Sequence, residues 1–259
     1  MAKVLAITNQ KGGVGKTTTT VNLAASLAAA KKRVLLIDLD PQGNATMGSA
    51  INKATLTITV YEVLIGTKSV REARIFSEAG KYDILPANRE LAGAEIELVD
   101  IENRETRLKV ALDAVQDDYD FILIDCPPAL NLLTLNGLCA AKSVMIPMQC
   151  EYYALEGLSD LVNTIRKVRS NLNVNLEIEG LLRTMYDPRN SLAQQVSDQL
   201  LKHFGDKVYR TVIPRNVRLA EAPSFGLPAL YHDRDSRGTQ AYLALAGELM
   251  NNAVIEEPI

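Results

Sequence analysis

Short apolar runs alternate with segments of helical periodicity along most of the chain. The runs are nearly continuous in Val, Ile and Leu, which is typical of strands covered on both faces of a parallel sheet. They predict strands at residues 4–8, 34–38, 82–86, 121–125, 143–147, 176–185 and 209–213. The segments between and after them predict helices at residues 16–30, 90–115, 132–141, 155–170, 191–204 and 238–251.

The alternation of strands and helices predicts a doubly wound α/β fold, with a mostly parallel sheet and helices on both faces. No repeat, low-complexity tract or Pro/Ser-rich linker interrupts the pattern. We therefore expect residues 1–259 to form a single domain, with a flexible C-terminal tail at residues 250–259. In such folds ligands bind at the carboxyl ends of the strands.

Composition narrows the class of protein. The chain has 259 residues, of which 47% are hydrophobic and 23% charged, and its formal net charge is −3. These values are typical of a globular protein, and they exclude a disordered chain and a generally basic nucleic-acid binder. Three cysteines without a CxxC pair argue against a zinc ribbon or a disulfide scaffold. The sequence shows neither a membrane span nor a signal peptide, so we expect a cytoplasmic protein.

A glycine-rich segment follows the first predicted strand directly and leads into a helix. Glycines let successive backbone N–H groups converge on phosphate oxygens, and the helix N-terminus adds positive potential. In this context Lys16 would reach the β- and γ-phosphates, and the Thr17 hydroxyl would ligate Mg²⁺. The alternative is a glycine-rich turn without a ligand. The predicted nucleotide-binding residues of the loop are Lys11, Gly12, Gly13, Val14, Gly15, Lys16, Thr17 and Thr18.

The loop departs from the ordinary pattern at its start. The pattern G-x-x-x-x-G-K-[ST] requires glycine where this chain has Gln10, and Lys11 follows. A second lysine is explained if it serves a phosphate in another subunit, as an arginine finger does. The alternative is a solvated loop lysine.

The stretch from Lys11 to Thr18 resembles the deviant Walker A motif of the ParA/MinD superfamily of P-loop ATPases, with Lys11 at the signature position. Further blocks at residues 36–44, 122–128, 150–157 and 213–224 are similar to those of chromosomal ParA proteins of the Soj type. The resemblance covers almost the whole chain, from about residue 3 to residue 249. It implies a Mg²⁺-dependent ATPase with the P-loop fold.

Three aspartates stand where predicted strands end: Asp38, Asp40 and Asp125. From its place after an apolar strand, Asp125 can reach Mg²⁺ through water. The resemblance implies that Asp40 orients the attacking water, with Asp38 in support, so we expect catalysis by Lys11, Lys16 and Asp40 and a metal site at Thr17, Asp40 and Asp125. The residues alone do not rank Asp38 against Asp40: the two share one side if the strand continues, and either is also explained as a turn or capping aspartate.

The resemblance assigns two further contacts. Pro214 and Asn216 would contact the adenine base, and Glu151 would be a dimer contact near Lys11. From the residues alone, Asn216 offers both a donor and an acceptor, but the segment Pro214–Arg215–Asn216 predicts no more than a turn.

Positive charge is concentrated in one region. Residues 161–218 contain ten Lys and Arg against five Asp and Glu, whereas residues 219–259 contain two against six. Such a region fits sequence-independent phosphate binding, or else a solvated helix face. The resemblance implies non-specific DNA binding through Arg189 and Arg218.

Together with these patterns, the resemblance implies a chromosome-partitioning ATPase. It would form an ATP sandwich homodimer, bind double-stranded DNA non-specifically on the nucleoid, and be released when a ParB-type protein stimulates hydrolysis. The alternatives are a plasmid partition ATPase, a MinD-like positioning ATPase and a nucleotide-gated scaffold of low turnover. The acidic C-terminal end, which contains Pro258, argues against a membrane partner. We interpret Cys126, Cys139 and Cys150 as buried thiols.

Overall fold

The computed structural model describes the backbone of residues 1–255 and the side chains of residues 1–251. Residues 1–255 contain a sheet of seven strands, in the order β3-β4-β2-β5-β1-β6-β7. All neighbouring strands are parallel except β3 and β4, which are antiparallel. The strands are β1 (Lys3–Ile7), β2 (Val34–Asp38), β3 (Ile75–Ser77), β4 (Tyr82–Leu85), β5 (Phe121–Asp125), β6 (Ser143–Gln149) and β7 (Glu177–Thr184).

Helices connect the strands. Within residues 1–255 they are α1 (Lys16–Ala29), α2 (Asn44–Gly48), α3 (Val60–Ile65), α4 (Val70–Ala73), α5 (Leu91–Glu97), α6 (Arg107–Asp113), α7 (Leu132–Ala140), α8 (Ala154–Asn171), α9 (Ser191–Phe204), α10 (Val217–Glu221), α11 (Ala229–His232) and α12 (Arg237–Ile255).

Both faces of the sheet are covered. Alternate residues of β1 point to opposite faces, as the two-residue period of a strand requires. Leu5 and Ile7 pack into a core with α1, α11 and α12. Val4 and Ala6 pack into a second core with α3 and α5 to α9. The predicted doubly wound, mostly parallel α/β fold is confirmed.

Residues 209–213 do not form a strand, so this prediction is wrong. This segment runs beside the edge strand β7 but meets it only at isolated bridges, Leu181 with Val208 and Tyr186 with Pro214. The buried Arg183 guanidinium of β7 instead donates to the carbonyl oxygens of Tyr209 and Arg210, at 2.8 and 3.3 Å. A side chain therefore replaces part of the strand ladder.

The single helix predicted at residues 90–115 is also wrong, because α5 ends at Glu97 and α6 begins only at Arg107. Asn103 has a left-handed backbone, with φ of 54°. The buried Asn136 of α7 donates to the carbonyl oxygen of Arg104 at 2.8 Å and accepts from the N–H of Leu108 at 3.1 Å. A tertiary contact thus satisfies backbone groups that a continuous helix would have paired internally.

The remaining differences are smaller. The strand β3 was not predicted because three residues are too few to show a recognisable apolar pattern in the sequence. Helix α12 extends to Ile255, beyond the predicted end at residue 251, and residues 256–259 of the expected tail lie outside the described residues. The three cysteines are buried free thiols, as predicted. Among residues 1–255, none of the helices is both long and apolar enough to cross a membrane.

Candidate functional site

The glycine-rich loop, residues 8–15, joins β1 to α1 at the carboxyl edge of the sheet, where β5 and β6 flank β1. Gly13 and Gly15 have φ of 74° and 89°, a left-handed conformation that disfavours any residue with a side chain. Remote elements hold the loop in place. The Thr184 hydroxyl at the end of β7 donates to the Val14 carbonyl at 2.7 Å, and the Asn9 amide donates to the Pro147 carbonyl at 2.8 Å.

Lys16 is the first residue of α1, and its side chain folds back over the loop. The residue is only 7% exposed, and its Nζ donates a hydrogen bond to the carbonyl oxygen of Lys11 at 3.0 Å. Burial lowers the pKa of this amine, and the charge of Asp125 opposes the shift. The amine therefore points to the centre of a curled loop, which is the arrangement that neutralises a bound phosphate.

Asp125 is the last residue of β5; it contacts the first turns of α1 and is fully buried. The hydroxyl of Thr17 donates to its Oδ2 at 2.7 Å, and the hydroxyl of Thr20 donates to its Oδ1 at 3.0 Å. Burial, together with the neighbouring charge of Asp38, raises the pKa of Asp125. Thr20 was missed by the sequence analysis, although its three-residue spacing from Thr17 places both on one helix face.

The donor set fits Mg²⁺. One hydroxyl and one carboxylate, Thr17 and Asp125, stand together at the loop, and Mg²⁺ takes its remaining ligands from waters and substrate phosphates. Among the residues whose side chains are described, no group of three or more His, Cys, Asp or Glu could form an all-protein metal cage. The geometry favours a metal that is held jointly with a nucleotide.

The structure separates Asp38 from Asp40. β2 ends at Asp38, so the strand does not continue through Asp40, and the two carboxylates do not share a strand face. Asp38 is fully buried; its Oδ1 accepts from the Asp40 N–H at 3.1 Å, and its Oδ2 accepts from the N–H and hydroxyl of Thr46, both at 2.8 Å. Burial raises the pKa of Asp38, and the hydrogen bonds from Thr46 oppose the shift. Asp38 thus anchors both ends of the loop at residues 39–46.

Asp40 is on the surface of that loop and is only partly buried. Its Oδ1 accepts from the Gln42 N–H at 2.9 Å. Its Oδ2 receives no hydrogen bond from the residues whose side chains are described. Asp40 therefore has a carboxylate oxygen available to a ligand or a water, whereas Asp38 has none.

The side chain of Lys11 lies on the outer surface of the loop. Its Nζ pairs with Glu151 Oε2 at 2.5 Å within one chain, and the two side chains are 48% and 50% exposed. Glu151 follows β6, and the exposed rings of Tyr152 and Tyr153 come next, in edge-to-face contact with centroids 5.0 Å apart. The structure brings Lys11 and Glu151 together; the place of either residue in a dimer stays a prediction.

A cavity of about 150 Å³ lies beside the first turn of α1. Gly15 and Thr18 line it together with Pro214 and Asn216, which are two hundred residues further along the chain. Asn216 Oδ1 caps α10 by accepting from Leu219 N–H at 3.3 Å, which leaves the amide NH₂ as the group for a ligand. The rest of the lining is Thr184, Met185, Ile213, Arg215, Leu219, Ala220 and Tyr242, a set with apolar walls that suits a flat heterocyclic base.

Both predicted DNA-binding arginines lie on the surface and pair with acids of the same chain. Arg189 makes a two-point contact with Asp187, at 3.0 and 2.8 Å. Arg218 pairs with Glu221 at 2.8 Å and with Asp233 at 3.1 Å. Contact with DNA therefore requires these arginines to exchange or share their partners.

Comparisons with known proteins agree with this geometry. Residues 2–178 match the sequence model of a family described as an AAA domain. The chain is 57% identical to the sporulation initiation inhibitor protein Soj of Bacillus subtilis over 97% of its own length and all of that protein. It is 53% identical to the chromosome partitioning protein ParA of Caulobacter vibrioides strain NA1000, over 96% of this chain and 94% of that one.

One solved structure that this chain resembles was determined with a nucleotide analogue bound. Cobyrinic acid a,c-diamide synthase from Mycobacterium smegmatis, with an ATP analogue and magnesium bound, is 36% identical and superposes with a TM-score of 0.87, covering 99% of this chain and 98% of that one. The loop, the buried Lys16 and the Thr17–Asp125 pair are the parts that such a ligand requires. The chain belongs to the Soj/ParA family of chromosome-partitioning ATPases, and it is a P-loop ATPase whose substrate is ATP and whose cofactor is Mg²⁺.

Proposed function

We propose that this ATPase forms an ATP-dependent homodimer, binds DNA without sequence specificity, and leaves DNA when hydrolysis ends the dimer. The observation that carries the proposal is the separation of the two loop lysines. The side chain of Lys16 is buried against the loop, whereas the side chain of Lys11 is half-exposed on its outer surface. One lysine suffices for the phosphates of its own site, so the outer lysine is available to a second site.

The exposed position of Lys11 is compatible with a two-fold contact between two copies of this chain. In a two-fold dimer the same surface patch meets itself, and every contact occurs twice. A patch with one cation and one anion side by side, Lys11 and Glu151, is complementary to its own copy. Release from Glu151 would let each Lys11 reach the triphosphate of the other subunit, as an arginine finger does.

Each residue of the site has a distinct task in hydrolysis. Lys16 neutralises charge on the transferring phosphoryl group, and Asp40 positions the attacking water with its available Oδ2. Thr17 and Asp125 would hold Mg²⁺, with Asp40 as the third expected ligand. When bound, the ion supplies charge neutralisation on the β- and γ-phosphates. Asp38 acts by positioning Asp40 through the loop at residues 39–46.

DNA binding follows from exposed arginines in a near-neutral protein. Exposed ion pairs are weak because water and salt screen them, so Arg189 and Arg218 can exchange their carboxylates for DNA phosphates at small cost. A dimer doubles the number of arginines and gains avidity, because the second contact becomes intramolecular. Loss of the γ-phosphate would remove both the bridge and the avidity, and a ParB-type partner on the nucleoid would set when this happens.

Light scattering with and without ATP tests the proposal on three variants. We expect Lys16→Ala to lose ATP binding, Lys11→Ala to bind ATP but stay monomeric, and Asp40→Ala to remain dimeric in ATP because hydrolysis is blocked. Lys32→Ala, which removes an exposed lysine between α1 and β2, should behave like the unchanged protein. An ATP-induced dimer of Lys11→Ala would contradict the role in the second subunit.

Phosphate release distinguishes an ATPase cycle from a low-turnover scaffold. We expect slow release by the protein alone and faster release when DNA and a ParB-type protein are both present. Equal rates under all conditions would contradict regulated release from DNA.

A further inference from the structure

Two oppositely charged side chains hold the edge segment, residues 209–213, beside β7. The guanidinium of Arg183 on β7 donates to the carbonyl oxygens of Tyr209 and Arg210, at 2.8 and 3.3 Å. The carboxylate of Glu248 on α12 accepts from the N–H groups of Arg210 and of the residue after it, at 2.7 and 3.0 Å. The two peptide groups that flank Arg210 therefore lie between a cation and an anion, with each carbonyl toward the cation and each N–H toward the anion.

Arg183 carries a buried charge that no carboxylate contacts directly, among the residues whose side chains are described. The residue is 8% exposed, and a third hydrogen bond goes to the hydroxyl of Ser197 on α9 at 2.9 Å. A buried cation is stable only where polar groups replace the water that it loses. The two carbonyl groups do so, and Glu248 balances the charge from the far side of the same peptide groups. The two charges therefore fix the position of the edge segment without contacting each other.

The edge segment leads directly into the wall of the candidate base cavity. Its last residue, Ile213, lines that cavity together with Pro214 and Asn216. The main chain at the end of β7 fixes the same residue, because the Ile213 N–H donates to the Arg183 carbonyl at 2.9 Å and the Ile213 carbonyl accepts from the Tyr186 N–H at 3.0 Å. A displacement of the edge segment would therefore move the cavity wall with it.

We propose that Arg183 and Glu248 are positioning residues for the nucleotide base, which hold the cavity wall where Asn216 can donate to that base. The proposal rests on the assignment of this cavity to adenine and adds the residues that keep the cavity in shape. Neither charged residue is among those that line the cavity, so neither touches the base. A hydrogen bond weakens steeply when its geometry is distorted. Loss of either charge should therefore weaken contacts with the base and leave the glycine-rich loop, which Thr184 and Asn9 hold, unchanged.

The test compares the binding of ADP with that of inorganic pyrophosphate, each with Mg²⁺, by isothermal titration calorimetry. ADP is not hydrolysed and lacks the γ-phosphate, so the result does not depend on the proposed dimer. Glu248→Gln offers one acceptor in place of two, and Arg183→Met keeps the length of the side chain without its donors. Each should weaken ADP binding about three- to tenfold, the effect of one hydrogen bond, and leave pyrophosphate binding unchanged. Glu102→Gln, which alters an exposed carboxylate between α5 and α6, is the matched control.

The outcomes that would overturn the proposal are distinguishable. Equal losses for ADP and pyrophosphate would show that the two charges only stabilise the fold. Unchanged ADP binding by both variants would show that the cavity wall does not need them. Glu248→Gln decides this alone if Arg183→Met does not fold, because Glu248 is only partly buried.

A substitution in the cavity itself separates the positioning role from the assignment of the cavity. Asn216→Ser keeps a helix-capping oxygen and removes the amide donor. If this variant binds ADP like the unchanged protein, the cavity does not hold the base and its assignment fails first. If it weakens ADP binding and the two charge variants do not, the cavity stands and the positioning role alone is refuted.

Discussion

A buried pair of hydroxyl groups connects the nucleotide-loop helix α1 to the C-terminal helix α12. Thr19 Oγ1 and the Tyr242 hydroxyl are 3.1 Å apart, and the two residues are 0% and 1% exposed. Tyr242→Phe removes one hydroxyl and leaves Thr19 without this partner, and Thr19→Val does the converse. A buried polar group left unpaired costs about 1–3 kcal/mol, so each single variant should lower the free energy of unfolding by roughly that amount.

The double variant carries the decisive result. Thr19→Val with Tyr242→Phe leaves no unpaired hydroxyl: a methyl group replaces the hydroxyl of Thr19, and loss of the Tyr242 oxygen leaves only a small gap, so the exchange is close to neutral. The double variant should therefore be more stable than the sum of the single changes requires, with a coupling energy of at least about 2 kcal/mol.

Urea unfolding of the four proteins, without nucleotide and with one common m-value, measures this cycle. Tyr152→Phe removes a hydroxyl from an exposed ring and should change stability by less than about 0.5 kcal/mol. Strictly additive losses in the double variant would refute the reasoning, because they would show that the two hydroxyls do not depend on each other.

Two further substitutions test the supports of the loop. Thr20→Val removes one of the two hydroxyl donors of the buried Asp125, and we expect a loss of about 1–3 kcal/mol in urea unfolding; unchanged stability would show that Asp125 does not need this donor. Gly43→Ala would place a Cβ 2.7 Å from the Ala87 carbonyl oxygen at a φ of 61°, and we expect a lower melting temperature and a loss of about 1–3 kcal/mol. Gly157→Ala, whose Cβ would meet no atom within 4 Å in α8, should instead raise the melting temperature, and equal effects at both glycines would contradict the steric argument.

The sequence was sufficient for features that depend on local patterns. The central strands are continuous apolar runs because both faces of the sheet are covered, so their positions could be predicted closely. The loop between β1 and α1 could be predicted because glycine spacing, lysine and hydroxyl all lie within ten residues. The fold class followed from the alternation of these elements.

Features that depend on distant partners could not be predicted. The break between α5 and α6 rests on the amide of Asn136, and the irregular segment beside β7 rests on the guanidinium of Arg183. The ranking of Asp38 and Asp40 required the end of β2 and the contact with Thr46. The Thr19–Tyr242 pair spans most of the chain and has no local signature.

Within one chain, Lys11 and Glu151 form an ion pair that is easily broken. Both side chains are about half exposed, at 48% and 50%, and an exposed pair of this kind is worth about 1 kcal/mol or less. An energy of that size changes an equilibrium only about fivefold. The pair can therefore be exchanged at little cost, so in the proposed dimer the nucleotide would decide between one copy and two, and that choice would be reversible on every turnover.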